Sequence, residues 1–70
     1  MPEGLVNRLR QARAERGWTQ AELAERVGVT RKTVNTVENG VFVPSTLLAL
    51  KLARALETAV EDLFQLPPGA

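Results

Sequence analysis

The stretch from Thr19 to Gly40 constrains the fold more than any other part of the chain, because it carries start and stop signals for two short helices. Thr19 and Glu22 have the spacing of a capping box, in which each side chain accepts a hydrogen bond from the other residue's backbone amide. Gly28 stands where a left-handed residue ends a helix, and Thr30 is a suitable N-cap for the next one. The sequence therefore predicts two helices joined by a short turn, the second ended by Gly40.

The second of these helices, expected over Arg31–Asn39, buries little of its surface. Val34 and Val37 share one side when residues are placed at helical intervals. The other side carries Lys32, Asn35, Thr36 and Asn39. Such a row of hydrogen-bonding side chains suits the edges of base pairs in a DNA groove. An ordinary solvated surface also favours polar residues, so this helix alone leaves both interpretations open.

The length and composition of the chain exclude several kinds of function. A chain of 70 residues supports one domain with a small core, expected over residues 1–66 with a disordered tail over 67–70. The chain contains no cysteine and no histidine, which excludes disulfides, zinc sites of the usual ligands and histidine acid–base catalysis. We therefore expect neither an enzyme nor a cofactor, metal or small-molecule ligand. No apolar run approaches a membrane span and no signal-peptide core is present, so we expect a cytoplasmic protein.

Charge is distributed unevenly along the chain. Residues 1–35 hold seven Lys or Arg against four Glu, a net charge of +3. Residues 36–70 hold two Lys or Arg against four acidic residues, a net charge of −2. The basic half contains the predicted pair of helices, which would let one face approach phosphates. Segregation of this size also arises by chance in small helical domains, so it supports the DNA hypothesis without deciding it.

A first helix is predicted from Leu5 to Arg16, because apolar residues recur at helical spacing up to Gly17. Arg13 occupies a core-facing position on it, and Glu38 does the same on the helix that begins at Arg31. Since each charge would be costly to bury alone, we predict an Arg13–Glu38 ion pair joining the two helices. The alternative is that each side chain reaches water separately.

The C-terminal third carries signals for two more helices. Ser45 is the natural N-cap of a helix through Leu56, whose leucines cover more than one face. A helix apolar over so wide an arc either lies centrally in the core or is shared with a second subunit. Thr58 and Glu61 have the spacing of a second capping box, which predicts a short fifth helix with Phe64 facing inward. The two prolines that follow are expected to end it.

The segments GWTQAELAERVGVTRKTV, ENG, PS, ALKLARAL and VEDLF, in this order and spacing, resemble the phage Cro/repressor-like, Xre-type helix-turn-helix family. The likeness covers about residues 5–66, and short members that act as stand-alone repressors look most similar. The resemblance implies a compact all-α, five-helix, lambda-repressor-like domain. It also implies binding of double-stranded operator DNA, commonly as a homodimer, with the second motif helix in the major groove.

The resemblance assigns roles to individual residues. The family's phosphate-contacting glutamine matches Gln20, and the asparagine of its ENG turn, which meets the DNA backbone, matches Asn39. Its recognition-helix contacts match Arg31, Lys32, Thr33, Asn35 and Thr36. Its buried Arg and Glu pair matches Arg13 and Glu38, in agreement with the spacing argument.

Side-chain chemistry suggests what each contact on the recognition helix would do. Arg31 and Lys32 would supply positive charge and guanine contacts, whereas Asn35 would read adenine. The methyl groups of Thr33 and Thr36 would meet thymine.

The chain departs from the family pattern at several positions. Glu57 replaces the glycine usual after the fourth helix, and Ala59 replaces the usual Ser or Thr cap before the fifth. We therefore expect Thr58 to cap that helix one residue early. The segment Val41–Val43 is apolar where basic or polar residues are common, so phosphate contacts from this loop are not expected.

Leu47 stands where a polar residue is common in the family, and with Phe64 and Leu66 it predicts a homodimer interface. A slightly apolar monomer surface is the alternative. The sequence as a whole predicts a sequence-specific DNA-binding transcriptional regulator, a dimeric repressor. The main alternative is an antitoxin-like protein, or the N-terminal DNA-binding module of a longer regulator, whose main role is to bind a protein partner. A purely structural helical bundle, the third interpretation, would bind no duplex.

Overall fold

The computed structural model describes residues 4–69, so Met1–Glu3 and Ala70 lie outside the described part of the chain. Its elements are β1 (Val6–Asn7), α1 (Leu9–Glu15), α2 (Gln20–Val27), α3 (Arg31–Glu38), α4 (Thr46–Ala55), α5 (Val60–Leu63) and β2 (Phe64–Gln65). The predicted five-helix lambda-repressor-like architecture is confirmed. The two paired strands are an addition that the sequence did not predict, and the disorder expected over residues 67–70 stays a prediction.

The core contains apolar side chains from all five helices. The largest of those with almost no exposed surface are Leu9, Leu23, Leu52, Leu63, Val34 and Val37. Burying such a side chain stabilises a fold by about 1.5–3 kcal/mol relative to leaving it exposed. Because α3 contributes only valines to this core, the greater part of its circumference remains outside.

The prediction of a first helix beginning at Leu5 is wrong. Val6 and Asn7 are extended and pair antiparallel with Gln65 and Phe64, and α1 begins only at Leu9. The Asn7 carboxamide explains the late start, because its Oδ1 accepts a hydrogen bond from the Leu9 amide at 2.9 Å. The Asn7 Nδ2 also donates to the Val37 carbonyl at the end of α3. Asn7 therefore joins the strand pair to both α1 and α3.

Helix α4 begins as the sequence predicts. The Ser45 hydroxyl accepts a hydrogen bond from the Leu48 amide at 3.1 Å, which is the geometry of an N-cap. Leu56 serves as the C-cap, and its amide donates to the Leu52 carbonyl. Leu48, Leu52 and Leu56 face the core, so one side of α4 is central to the domain.

The capping box predicted from Thr58 and Glu61 is wrong. Ala59 is the N-cap of α5, and its side chain has no atom that can accept a hydrogen bond. The Thr58 amide is bonded to the Ala53 carbonyl at 2.9 Å, which holds Thr58 in the turn that closes α4. The Thr58 hydroxyl donates instead to the Asp62 carboxylate at 3.1 Å. A family departure at Ala59 has thus left α5 without a side-chain cap.

Two further features of the segment from the end of α4 to the end of α5 were not predicted from the sequence. Glu57 adopts a left-handed conformation, with φ of 55°, at the position where the family has a glycine. Its carboxylate accepts a hydrogen bond from Arg16 Nη2 at 3.1 Å. Helix α5 ends at Leu63, before the prolines, because Phe64 is extended and pairs with β1.

Candidate nucleic-acid interface

Helices α2 and α3 form the predicted two-helix motif. The Thr19 hydroxyl accepts from the Glu22 amide at 3.0 Å, and the Glu22 carboxylate accepts from the Thr19 amide at 2.8 Å. The hydrogen bond from the Thr19 backbone amide, helped by the Thr19 side chain, holds the pKa of the Glu22 carboxyl below its usual value. Gly28 ends α2 with φ of 75°, and the Thr30 hydroxyl caps α3 by accepting from the Thr33 amide at 3.2 Å. Both ends of the turn are therefore fixed by local bonds.

An exposed polar ridge runs along α3 on the side opposite its buried residues. Only Val34, Val37 and Glu38 of this helix are buried. Four of the predicted DNA contacts line one open depression of about 310 Å³ beside the ridge: Gln20, Arg31, Lys32 and Asn35. Among residues 4–69, neither cation of this depression takes part in an ion pair. The depression thus combines unpaired positive charge with two carboxamides.

Thr33 and Thr36 are half-buried at the edges of the ridge. The Thr33 hydroxyl lies 3.0 Å from the Thr30 hydroxyl, and the Thr36 hydroxyl donates to the Thr33 carbonyl at 2.9 Å. Both predicted contacts therefore have hydroxyl groups engaged within the chain. Their engagement leaves less polar capacity for a partner.

Behind the ridge lies a buried carboxylate. The Glu38 side chain has no exposed surface, and Arg13 grips it with two bonds: Nε donates to Oε2 at 2.6 Å and Nη2 to Oε1 at 3.2 Å. The Arg13 Nη1 donates to the Trp18 carbonyl at 2.7 Å, which fixes the guanidinium in place. The structure thus contains the predicted Arg13–Glu38 ion pair, which braces α3 against α1.

The pKa of Glu38 reflects opposing influences. Burial by itself would raise this pKa, but the hydrogen bonds from Arg13 and Gln20 outweigh burial, with further help from the Arg13 charge and an Arg10 hydrogen bond. The pKa of Glu38 is consequently held below its usual value. The hydrogen bond to Glu38 raises the pKa of Arg13 in turn. Both groups are therefore ionised at neutral pH.

Gln20 and Asn39, the two predicted phosphate contacts, use their side-chain N–H groups within the chain. Gln20 Nε2 donates to Glu38 Oε1 at 3.0 Å and to Asn35 Oδ1 at 3.2 Å. Asn39 Nδ2 donates to the Asn35 backbone carbonyl at 2.9 Å and to Asn35 Oδ1 at 3.0 Å. A phosphate contact from either carboxamide nitrogen therefore requires that one of these bonds be exchanged.

Arg10 belongs to the same network, and sequence reasoning missed it. Its side chain is 59% exposed, and its Nη2 donates to Asn39 Oδ1 at 2.6 Å while its Nε lies 3.4 Å from Glu38 Oε1. The sequence carries a signal for Arg10, because residues three apart lie on one side of a helix and Arg13 is predicted to face α3. Since Arg13 already matches the charge of Glu38, Arg10 leaves the network with a net positive charge.

The predicted dimer residues are placed differently from one another. Leu47 and Leu66 are 64% and 75% exposed, whereas Phe64 is only 9% exposed and belongs to the core of its own chain. The edge of Phe64 that remains outside lines an apolar cavity of about 200 Å³ together with Leu5, Val43 and Leu50. An apolar surface thus extends from Leu5, just before β1, to Leu50 on α4.

Over residues 4–69, no three acidic side chains come close enough together to hold a metal ion. Nor does this part of the chain include a helix with the length and apolar character needed to cross a membrane.

Helices α2 and α3 form a capped two-helix motif, which the Arg13–Glu38 pair joins to α1 and which exposes a polar ridge. These features define a nucleic-acid-binding domain of the helix-turn-helix class. The chain belongs to the helix-turn-helix family of DNA-binding transcriptional regulators, since the family model described as "Helix-turn-helix" matches residues 9–63. The resemblance to Xre-type proteins noted from the sequence is thereby confirmed.

Relatives extend over most of the chain. It is 48% identical over 62 residues to YgzD, an uncharacterized HTH-type transcriptional regulator of Bacillus subtilis (strain 168), covering 89% of this chain and 94% of YgzD. It is more distantly similar to the antitoxin HipB of Escherichia coli (strain K12), at 30% identity over 59 residues, 84% of this chain and 67% of HipB.

Solved structures show the same fold. The restriction-modification controller protein C.AhdI of Aeromonas hydrophila has a TM-score of 0.77 at 40% identity, covering 81% of this chain and 83% of its own. The P22 c2 repressor, solved in complex with a synthetic operator, has a TM-score of 0.75 at 28% identity, covering 77% of this chain and 82% of its own.

Proposed function

We propose that this protein is a sequence-specific transcriptional repressor that binds a near-palindromic operator as a homodimer, with α3 in the major groove. The observation that carries the proposal is the depression shared by Gln20, Arg31, Lys32 and Asn35, which places cations and carboxamides together on one exposed face. Cations supply the sequence-independent part of DNA affinity, whereas carboxamides have the hydrogen-bonding groups that base edges require.

The contact residues divide by chemistry into two groups. Lys32 holds phosphates and Arg31 holds phosphates or a guanine edge, because both are exposed and their charges are unpaired among the described residues. Asn35, Thr33 and Thr36 face the base pairs. Gln20 and Asn39 flank this row at the N-terminal end of α2 and the C-terminal end of α3, where the DNA backbone would pass.

Pairing of two copies would use the apolar surface around Leu47, Phe64 and Leu66. Leu47 and Leu50, three residues apart on the same side of α4, are both exposed, at 64% and 54%. Covering such a surface adds a large share to the stability of a domain of this size, because its own core is small. A two-fold dimer would set the two α3 helices about 34 Å apart, one turn of DNA.

A second candidate function is an antitoxin-like role, in which the same apolar surface binds a different protein. The similarity to HipB and the exposure of Leu47 and Leu66 favour it. The two candidates share DNA binding and differ in what covers the apolar surface. Light scattering of the pure protein separates them, because a self-pairing repressor has a mass near twice 7.7 kDa.

Selection of bound fragments from a random duplex pool tests DNA binding, symmetry and spacing together. We expect an enriched near-palindrome whose half-site centres lie about 10 base pairs apart. Failure to enrich any sequence at low salt would overturn the proposal. Substituted proteins then separate the roles: Thr36→Ala should change the base preference at one position, whereas Lys32→Gln should weaken all sequences alike and lower the salt slope by about 1. A uniform loss from both variants would contradict the division of roles.

A further inference from the structure

The carboxamides on the ridge form a hydrogen-bonded chain whose direction is fixed at both ends. A carboxamide oxygen and nitrogen have similar size and shape, so their assignment follows from what each partner is able to donate or accept. This series of hydrogen bonds has a guanidinium, that of Arg10, at one end and a carboxylate, that of Glu38, at the other. A guanidinium only donates hydrogen bonds, and an ionised carboxylate only accepts them.

The guanidinium end fixes Asn39. Arg10 Nη2 lies 2.6 Å from one terminal atom of the Asn39 carboxamide, which must therefore be the oxygen. The other terminal atom lies 2.9 Å from the Asn35 backbone carbonyl, an acceptor, and must be the nitrogen. That nitrogen also lies 3.0 Å from a terminal atom of the Asn35 side chain, which must then be an acceptor.

The carboxylate end gives the same answer independently. Gln20 has one terminal atom 3.0 Å from Glu38 Oε1, so that atom is the nitrogen. The same nitrogen lies 3.2 Å from the same Asn35 atom. Two donors, each fixed by a partner of unambiguous chemistry, thus point at one atom of Asn35, which is Oδ1. Both lone pairs of that oxygen are occupied.

The group of Asn35 that remains available is consequently its Nδ2, because the residue is exposed and this nitrogen donates no hydrogen bond to any residue of the described chain 4–69. We propose that Asn35 acts on DNA as a pure donor and reads guanine, with Arg10, Asn39, Gln20 and Glu38 as positioning residues that hold this polarity. The assignment rests on the proposed function, because it concerns the base that the recognition helix selects.

Guanine fits a pure donor better than adenine does. Its major-groove edge presents two adjacent acceptors, N7 and O6, for the two hydrogens of one amino group. Adenine presents the acceptor N7 beside an N6 amino group, which would face the Asn35 amino group donor to donor. The contact of asparagine with adenine needs a free carboxamide oxygen, and here that oxygen is already used. The expectation that Asn35 reads adenine is therefore replaced.

The test begins with the duplex that the wild-type protein selects. The base pair read by Asn35 is the position of the selected duplex at which the Asn35→Ala variant no longer prefers one base. We expect this base pair to be G·C. Replacing its guanine with 7-deazaguanine removes only the N7 acceptor. Wild-type affinity should then fall about tenfold, within the range for a good base contact, whereas the affinity of Asn35→Ala should hardly change.

Thr33→Ala is the matched control, since Thr33 lies on the same helix without belonging to the carboxamide chain, and it should keep the full sensitivity to 7-deazaguanine. An A·T pair at the position, a G·C pair insensitive to the replacement, or no position lost in Asn35→Ala would each overturn the assignment. Failure of the wild-type protein to enrich any sequence is a separate result, which would overturn the proposed function and this assignment together.

Discussion

Arg13 of α1 and Glu38 of α3 are joined by two hydrogen bonds, of 2.6 and 3.2 Å, and the carboxylate between them is fully buried. This pair fixes the inner side of the helix whose outer side carries the proposed DNA contacts. The same carboxylate also accepts hydrogen bonds from Gln20 and Arg10. Gln20 in turn donates to Asn35 and Arg10 donates to Asn39, both on the ridge. Stability and the arrangement of the interface therefore depend on one side chain.

Replacing Glu38 with Gln should lower the free energy of unfolding by about 3 kcal/mol, because it leaves the Arg13 charge buried without its partner. Urea unfolding followed by circular dichroism measures the change. The matched control is Glu57→Gln, which breaks the exposed Arg16–Glu57 pair and should cost about 0–1 kcal/mol. Equal losses in the two variants would contradict a special role for the buried pair.

The stability of the protein should depend on pH through Glu38. Because the folded pKa of Glu38 lies below the unfolded value of about 4.3, its stabilising effect is complete above that value and is lost as the pH falls through the folded pKa. Arg13 stays protonated throughout and adds no slope in this range. The free energy of unfolding of wild type and of Glu38→Gln should be measured from pH 7 to pH 3. The difference between the two proteins should stay constant near neutral pH and become smaller in acid. A gap that widened in acid would contradict the sign.

Replacing Glu57 with Gly should raise the free energy of unfolding by about 1 kcal/mol, because a side chain in the left-handed conformation is strained and glycine is not. The variant also loses the exposed contact with Arg16, a loss that Glu57→Gln measures alone. Thermal unfolding of the two variants gives the difference. If Gly proved no more stable than Gln at this position, strain at φ of 55° would not be the dominant effect.

Replacing Leu47 with Lys should convert a dimer into a monomer with an unchanged fold, because Leu47 is 64% exposed and contributes little to its own core. Size-exclusion chromatography with light scattering reports the mass, and circular dichroism reports the fold. Ala21→Lys, an exposed substitution of the same kind on α2, should leave the mass unchanged. A wild-type protein that is already monomeric would argue against the proposed homodimer.

The parts of the fold that the sequence predicts depend on neighbours along the chain. The Thr19 capping box, the Ser45 N-cap and the left-handed Gly28 each need only a few adjacent residues, and the structure contains all three. The Arg13–Glu38 pair was predictable across the chain because two charges on core-facing positions require each other.

The parts that sequence reasoning missed depend on distant partners. A two-residue strand has no detectable periodicity, so nothing in Val6–Asn7 indicates that it pairs with Phe64–Gln65. Thr58 has the correct spacing for a cap, but a bond to Ala53 holds it in the preceding turn. The polarity of Asn35 follows from partners on three different helices, and spacing carries no information about which atom of a carboxamide faces outward.

The pairing of Val6 with Gln65 makes the two ends of the fold neighbours in space. The order in which the helices follow one another is therefore not imposed by their packing. A short bridge from residue 66 back to residue 5, with a new opening in the exposed loop over 41–43, would give a circularly permuted chain that keeps every helix contact. In such a chain the recognition helix would lie near the C-terminal end.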